Sequence, residues 1–82
     1  MRRTVEEPNA VELRARLGRQ IVATLPAKFL AENNGRYVAV TYTGRVLAVC
    51  DTLEDLNSEL ARQQPKENYY LERIGYRAIT QI

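Results

Sequence analysis

One stretch of the sequence decides the fold: Gly35-Arg-Tyr-Val-Ala-Val-Thr-Tyr-Thr-Gly44-Arg-Val-Leu-Ala-Val-Cys50, followed directly by Asp51-Thr-Leu-Glu-Asp-Leu56. Two runs rich in β-branched and aromatic residues lie on either side of Thr43 and Gly44, and such runs favour strands. The glycine supplies a turn between them, so the stretch predicts a β-hairpin over residues 36–50. Asp51 or Thr52 can then cap a helix whose first turn carries acidic side chains, as the helix dipole favours.

The position of the turn decides which hairpin residues share a face of the sheet. A turn at residues 43–44 pairs Val38 with Val49 and Val40 with Leu47 on one face. The other face brings together Tyr37, Ala39 and Thr41 with Cys50, Ala48 and Val46. The first face is the more apolar, so we expect helices to pack on it. The second face is predicted either to be covered by the N-terminal helix or to serve as an interface.

Leucines at helical spacing predict how the helix after the hairpin packs. Leu53, Leu56 and Leu60 are spaced by three and four residues, which places them on one buried stripe. We expect this stripe to pack on the more apolar face of the hairpin. Pro65 ends the helix, because its ring is incompatible with a helix interior.

Two helices are predicted before the hairpin. An apolar residue recurs every four positions at Leu13, Leu17, Ile21 and Leu25. Such spacing is typical of one apolar helix stripe, and this first helix is predicted to begin at the N-cap Asn9 and to end before Pro26. Pro26 suits the first position of a second, short helix, which residues 33–35, Asn-Asn-Gly, bring to an end.

The rest of the chain completes the expected architecture. Residues 68–74 are predicted to form a third strand and residues 76–82 a fourth extended segment. The fold class is α+β: two N-terminal helices, a β-hairpin, a helix, then one or two strands in a small antiparallel or mixed sheet. Residues 1–8 are polar, so we expect a flexible tail before a single small α+β domain at residues 9–82.

The composition argues against several kinds of active site. The chain has 82 residues with 12 basic and 10 acidic side chains, one cysteine and no histidine. An ordinary zinc site needs more cysteine or histidine ligands than this chain contains. The densest carboxylates are Asp51, Glu54, Asp55 and Glu59. They lie at a helix start, where capping and the helix dipole account for them. We therefore predict no catalytic, metal-binding or cofactor-binding residues and no enzymatic activity.

Tyrosine is the most frequent aromatic residue, with five copies on predicted strands. It is common in protein interfaces, because it buries area while it keeps a polar end. The predicted interaction residues come from the last two extended segments: Tyr69, Tyr70, Tyr76, Ala78, Thr80 and Ile82. The leading hypothesis is a protein-interaction module that binds a protein partner or itself, as a homodimer. The alternative is a weak nucleic-acid-binding module that uses the tyrosine-bearing sheet and nearby arginines.

Charge and cysteine content bear on the partner and the compartment. The net charge is +2 and the basic residues are spread along the chain, which makes nucleic acid the less favoured partner. A single cysteine cannot form an internal disulfide, which favours a cytoplasmic location. The sequence contains no apolar run of about 18 residues, the length that would span a membrane.

Four short patterns carry a resemblance to known domains: Gly35-x-Tyr37-Val38-Ala39, Arg45-Val46-Leu47-Ala48, Thr52-Leu53-Glu54-Asp55-Leu56 and Ile74-Gly75. Together they resemble a group of small uncharacterised prokaryotic domains in which a G-x-Y-V-A hairpin precedes a T-L-E-D-L-type helix. The helix start after a strand is also similar to HicB-type antitoxins, which implies a regulatory or antitoxin-like role. This chain lacks the P-G-C/V stretch and the C-terminal DNA-binding motif of that family.

Overall fold

A computed structural model describes residues 10–76, with side chains from residue 12 onward. Its elements are α1 (Ala10–Ala23), α2 (Ala27–Glu32), β1 (Tyr37–Thr41), β2 (Val46–Cys50), α3 (Leu53–Gln63) and β3 (Tyr69–Arg73). Both predicted N-terminal helices, the hairpin, the third helix and the third strand are therefore confirmed, and the fold is α+β. The predicted tail, the N-cap Asn9 and the extended segment after Tyr76 lie outside the described residues.

The three strands form one antiparallel sheet in the order β2-β1-β3. β1 is central and pairs with β2 on one side and with β3 on the other. The α3 connection therefore carries the chain from one outer strand of the sheet to the other. β3 lies antiparallel to β1 with an unbroken register over all five of its residues, from Tyr69 opposite Thr41 to Arg73 opposite Tyr37.

The hairpin differs from the predicted one near its turn. Val38 pairs with Val49 as expected, but Val40 pairs with Val46 and not with Leu47, because the register shifts after Ala39. The loop has three residues, 42–44, and the Gly44 N–H donates to the Thr41 carbonyl at 3.0 Å. Gly44 has a φ of 95°, the left-handed conformation that ends such a loop. The resulting β-bulge makes Leu47 the extra residue on β2.

The predicted face for α3 was wrong. The face with Val38 and Val40 packs against α1 and α2 through a core cluster that includes Val22 and Ile74. Leu56 and Leu60 of α3 pack on the opposite face, against Ala39, and Leu47 joins that cluster instead of the first one. The bulge accounts for Leu47, and the small side chains of Ala39 and Ala48 leave room for the leucines. Both faces of the sheet therefore carry helices, in three layers.

The apolar stripe of α1 is buried only in its second half. Leu13 and Leu17 are 51% and 42% exposed, whereas Val22 is buried and Leu25 packs against the core. A four-residue repeat drifts by about 40° per step around an α-helix, because a turn takes 3.6 residues. The stripe consequently starts at the side of α1 and reaches the core at Ile21, near the end of the helix, and at Leu25 just after it. Gly18 faces the sheet, and a Cβ there would overlap the ring of Tyr70.

Candidate interaction surface

β3 presents one side of its backbone away from the rest of the sheet. The Ile74 N–H donates to the Arg36 carbonyl at 2.8 Å, so residue 74 points its backbone groups toward β1. Backbone groups alternate sides along a strand. Tyr69, Leu71 and Arg73 therefore direct their N–H and C=O groups to the outer edge, where the Arg73 carbonyl accepts a hydrogen bond from the Tyr76 N–H at 3.3 Å. Within residues 10–76, no other strand pairs with this edge.

One face of β3 is also left without a helix above it in the described part of the chain. α1 lies over β1 and β3, while α3 lies over β2 and β1. Tyr69, Leu71 and Arg73 point toward the side of the sheet that carries α3. Tyr69 is 39% exposed, and Leu71 packs only partly against the leucines of α3. We call these three residues, with Tyr76 and the outer edge of the strand, the β3 surface.

Arg73 orders the end of the β3 surface. Its guanidinium carbon lies 5.3 Å from the centroid of the Tyr37 ring and 3.9 Å from that of the Tyr76 ring. Its Nε donates to the Gly35 carbonyl at 3.0 Å. Such cation–π contacts hold a long side chain in one place. Tyr76, 47% exposed, is thus fixed beside the strand just after the turn at Gly75.

Tyr70 has a different environment from the other predicted interaction tyrosines. Its ring lies beneath Gly18 on the α1 side of the sheet, and its hydroxyl donates to a Glu72 carboxylate oxygen at 2.8 Å. Burial, followed by this hydrogen bond, raises the pKa of Tyr70 to about 12. Tyr70 therefore packs α1 onto β3 and is only partly accessible.

The structure thus divides the six predicted interaction residues. Tyr69 and Tyr76 lie on the β3 surface, and Tyr70 lies on the other side of the same strand. Ala78, Thr80 and Ile82 lie outside the described residues. Leu71 and Arg73 were not predicted as interaction residues. Their alternation with Tyr69 was visible in the sequence, but their importance depends on the strand order, which the sequence left open.

The carboxylates at the start of α3 have structural roles. The Thr52 hydroxyl accepts a hydrogen bond from the Asp55 N–H at 3.0 Å, which confirms an N-cap. Asp51 pairs with Arg36 at 2.7 Å. Hydrogen bonds from Gln63 and then Arg62 lower the pKa of Glu59. Within the described residues, no group of three or more potential ligand side chains is arranged to hold a metal ion.

Cys50 lies at the end of β2, in contact with the core cluster under α3. Partial burial, followed by the nearby carboxylates of Asp55 and Glu59, raises the pKa of its thiol. A raised pKa favours the thiol over the nucleophilic thiolate. The environment of Cys50 therefore suits packing more than covalent chemistry.

No family model, curated protein or solved structure matches this chain. Among residues 10–76, none of the helices has the length and apolar character needed to cross a membrane.

Proposed function

We propose that this protein is a non-enzymatic interaction module that binds an extended segment of a protein partner along the outer edge of β3. The observation that supports this proposal is the row of outward backbone groups formed by Tyr69, Leu71 and the Arg73 N–H, which follows from the hydrogen bond between Ile74 and Arg36. Adding a strand to such an edge is a recurrent mode of peptide recognition. Main-chain hydrogen bonds supply the affinity in this mode, at about 1 kcal/mol net each.

The side chains of the β3 surface would supply specificity. A bound strand directs alternate side chains to each face of the sheet. On the α3 side these would meet Tyr69 and Leu71, next to the Arg73–Tyr76 stack. Apolar or aromatic partner residues suit this environment, and an acidic residue suits Arg73. A regulatory or antitoxin-like inhibitor in the cytoplasm is one setting in which such a module would act.

The same surroundings support a role without catalysis. The Thr52 hydroxyl caps α3, the Asp51 carboxylate forms an ion pair with Arg36, and the pKa of the Cys50 thiol is raised. A catalytic acid, base or nucleophile needs a pKa matched to its task. The Cys50 thiol, whose pKa is raised, does not have that character.

Nucleic acid binding is the second candidate, favoured by one observation. The guanidinium of Arg73 and the rings of Tyr37 and Tyr76 combine a cation with stacking surfaces. Sheets that read single strands stack bases on an open face. Here α1 covers one face of β3, and α3 covers β2 and β1 on the opposite face of the sheet, so the open area is confined to β3. A steep fall of oligonucleotide affinity with salt would favour this candidate, whereas undetectable binding would remove it.

The proposed function is tested by a matched pair of variants at the centre of β3. Leu71→Pro removes the outward N–H and the side chain, while Leu71→Ala removes the side chain alone. Because proline is tolerated where an edge N–H faces outward, both variants should fold, which circular dichroism checks. We expect wild type and Leu71→Ala to carry a stoichiometric protein partner, either another protein seen on co-purification or a second copy seen by light scattering, and Leu71→Pro to lack it. A partner that Leu71→Pro retains would show that the edge is not the binding site.

A further inference from the structure

We infer that the strand bound at the outer edge of β3 is β3 of a second copy of this chain, antiparallel and related by a two-fold axis at Leu71. This inference rests on the proposed function, since it names the partner of the same edge. The described strands of the two copies would form a continuous six-stranded sheet, with three strands from residues 37–73 of each copy. A two-fold dimer is a closed assembly, and it pairs the outer edge of β3 in both copies.

The sequence of β3 is complementary to itself in this register. With the axis at Leu71, Tyr69 faces Arg73 of the other copy and Tyr70 faces Glu72 of the other copy. The chain already uses both kinds of contact internally. Arg73 lies opposite Tyr37 in the β1–β3 pair with its guanidinium over the ring, and the Tyr70 hydroxyl donates to Glu72. The Tyr37–Arg73 contact is a cross-strand pair, a kind that stabilises a sheet, whereas the Tyr70–Glu72 hydrogen bond runs along one strand.

Other registers are less favourable. An axis at Glu72 or Arg73 places two like charges directly opposite each other, which destabilises strand pairing. An axis at Tyr69 or Tyr70 leaves the end of β3 opposite residues 65–68, which are not part of the strand. Only an axis at Leu71 pairs all five residues of β3. It also joins the outward backbone groups of Leu71 with those of its symmetry mate.

The helices above the sheet fit this arrangement. α1 lies over the β1–β3 pair of its own chain. The α1 helices of the two copies would then lie side by side, about two strand spacings or ~9.6 Å apart. Interaxial distances of about 8–10 Å are usual for packed helices, so the paired sheets bring the helices neither into collision nor out of contact.

Cysteine cross-linking tests the register on the full chain. In a Cys50→Ser background, Leu71→Cys places two thiols at the axis, where Cα atoms of a hydrogen-bonded pair are about 5.5 Å apart and can be bridged. Tyr69→Cys in the same background is the control, because its two copies would be ~13 Å apart along the strands. We expect oxidation to convert Leu71→Cys mainly to a covalent dimer and to leave Tyr69→Cys monomeric. Equal cross-linking of both variants, or of neither, would overturn the register.

Light scattering on the unmodified chain tests the dimer without any substitution. At about 100 μM, where a micromolar dimer is populated, we expect the mass of two chains. The mass of one chain at that concentration would overturn the inference of a second copy. The proposed function would survive this result if Leu71→Pro still lost a partner that Leu71→Ala retained. If Leu71→Pro and Leu71→Ala both retained a protein partner, or both lacked one, the proposed function would fail as well.

Discussion

The two outer strands of the sheet, β2 and β3, have the same length but differently protected edges. β2 contains a bulge at Leu47, and the Gln63 side chain of α3 donates to the Leu47 carbonyl at 3.0 Å. β3 keeps a regular register with β1, and no described side chain bonds the outward groups of Tyr69 or Leu71. Proteins commonly blunt an edge with a bulge or a covering element. The edge of β2 is therefore partly covered, whereas the outward groups of Tyr69 and Leu71 have no such cover among the described residues, as the proposed binding edge requires.

The largest loss of stability is expected from a substitution in α3, where the helix packs on the sheet over β2. Leu56 is fully buried against Ala39, whereas Leu53 in the same helix is 44% exposed. Leu56→Ala should lower the free energy of unfolding by about 2–5 kcal/mol through the lost apolar contacts and the cavity. Leu53→Ala is the matched control and should cost much less. Denaturant unfolding measures both, and an unchanged midpoint for Leu56→Ala would show that α3 does not secure the β2 side.

The next largest loss of stability is expected from a substitution in α1, the helix that covers β3. Gly18→Ala would place a methyl group inside the ring of Tyr70, so α1 or the ring must move. We expect a loss of about 1–3 kcal/mol from overpacking, which outweighs the better helix propensity of alanine, about 1 kcal/mol. Gln20→Ala, on the exposed side of α1, should change the stability by less than about 0.5 kcal/mol. A more stable Gly18→Ala protein would show that α1 is not held against β3.

Tyr70 gives the attachment of α1 to β3 a pH dependence. Burial raises the pKa of Tyr70 to about 12, whereas an unfolded tyrosine has a pKa of about 10. Between these values the folded state holds a proton that the unfolded state has lost, so this contribution is present below about pH 10 and is lost as the pH rises toward 12. The stability difference between wild type and Tyr70→Phe should therefore shrink across that window. A difference that stays constant would mean that the hydroxyl titrates as in the unfolded chain.

The smallest loss of stability is expected from removing the side chain of α3 that covers the edge of β2. Gln63→Ala removes the hydrogen bond to the Leu47 carbonyl together with an exposed one to the Glu59 carboxylate, and it should cost about 0.5–1.5 kcal/mol. Gln64→Ala is unsuitable as a control, because Gln64 has a φ of 50° in the C-cap of α3. Arg62→Ala, which breaks only an exposed pair with Glu59, is the better one. If the Gln63→Ala and Arg62→Ala proteins were equally stable, the Gln63 cover would not matter to β2.

The local signals in the sequence predicted most of the elements. The cap at Thr52, the stop at Pro65 and the helix break at Asn33 all act within a few residues, and the helices lie where these signals place them. The register near the turn was missed because Gly44, not the pair Thr43-Gly44, has the special conformation. One shifted residue moved Leu47 to the other face.

The packing of α3 and the position of the interaction surface depend on contacts between residues that are far apart in the sequence. Both faces of the hairpin are apolar enough to hold a helix, so the pattern alone could not assign α3 to the face of Ala39. The strand order places β3 beside β1, which pairs Tyr37 with Arg73 and leaves Leu71 facing outward. Neither relation is encoded in a local motif. The tyrosines Tyr69 and Tyr76 were recognisable from composition, but the backbone edge between them was not.

Residue-resolved amide hydrogen exchange shows most directly whether the outer edge of β3 is available for binding. The measurement is made on the full chain, diluted until it is monomeric. We predict slow exchange for the Tyr70 and Glu72 amides, which face β1, and fast exchange for the Leu71 amide, which faces outward. The Leu71 amide should become protected when a partner binds. Slow exchange of Leu71 in the isolated monomer would contradict the account, because the edge would then already be occupied by the chain itself.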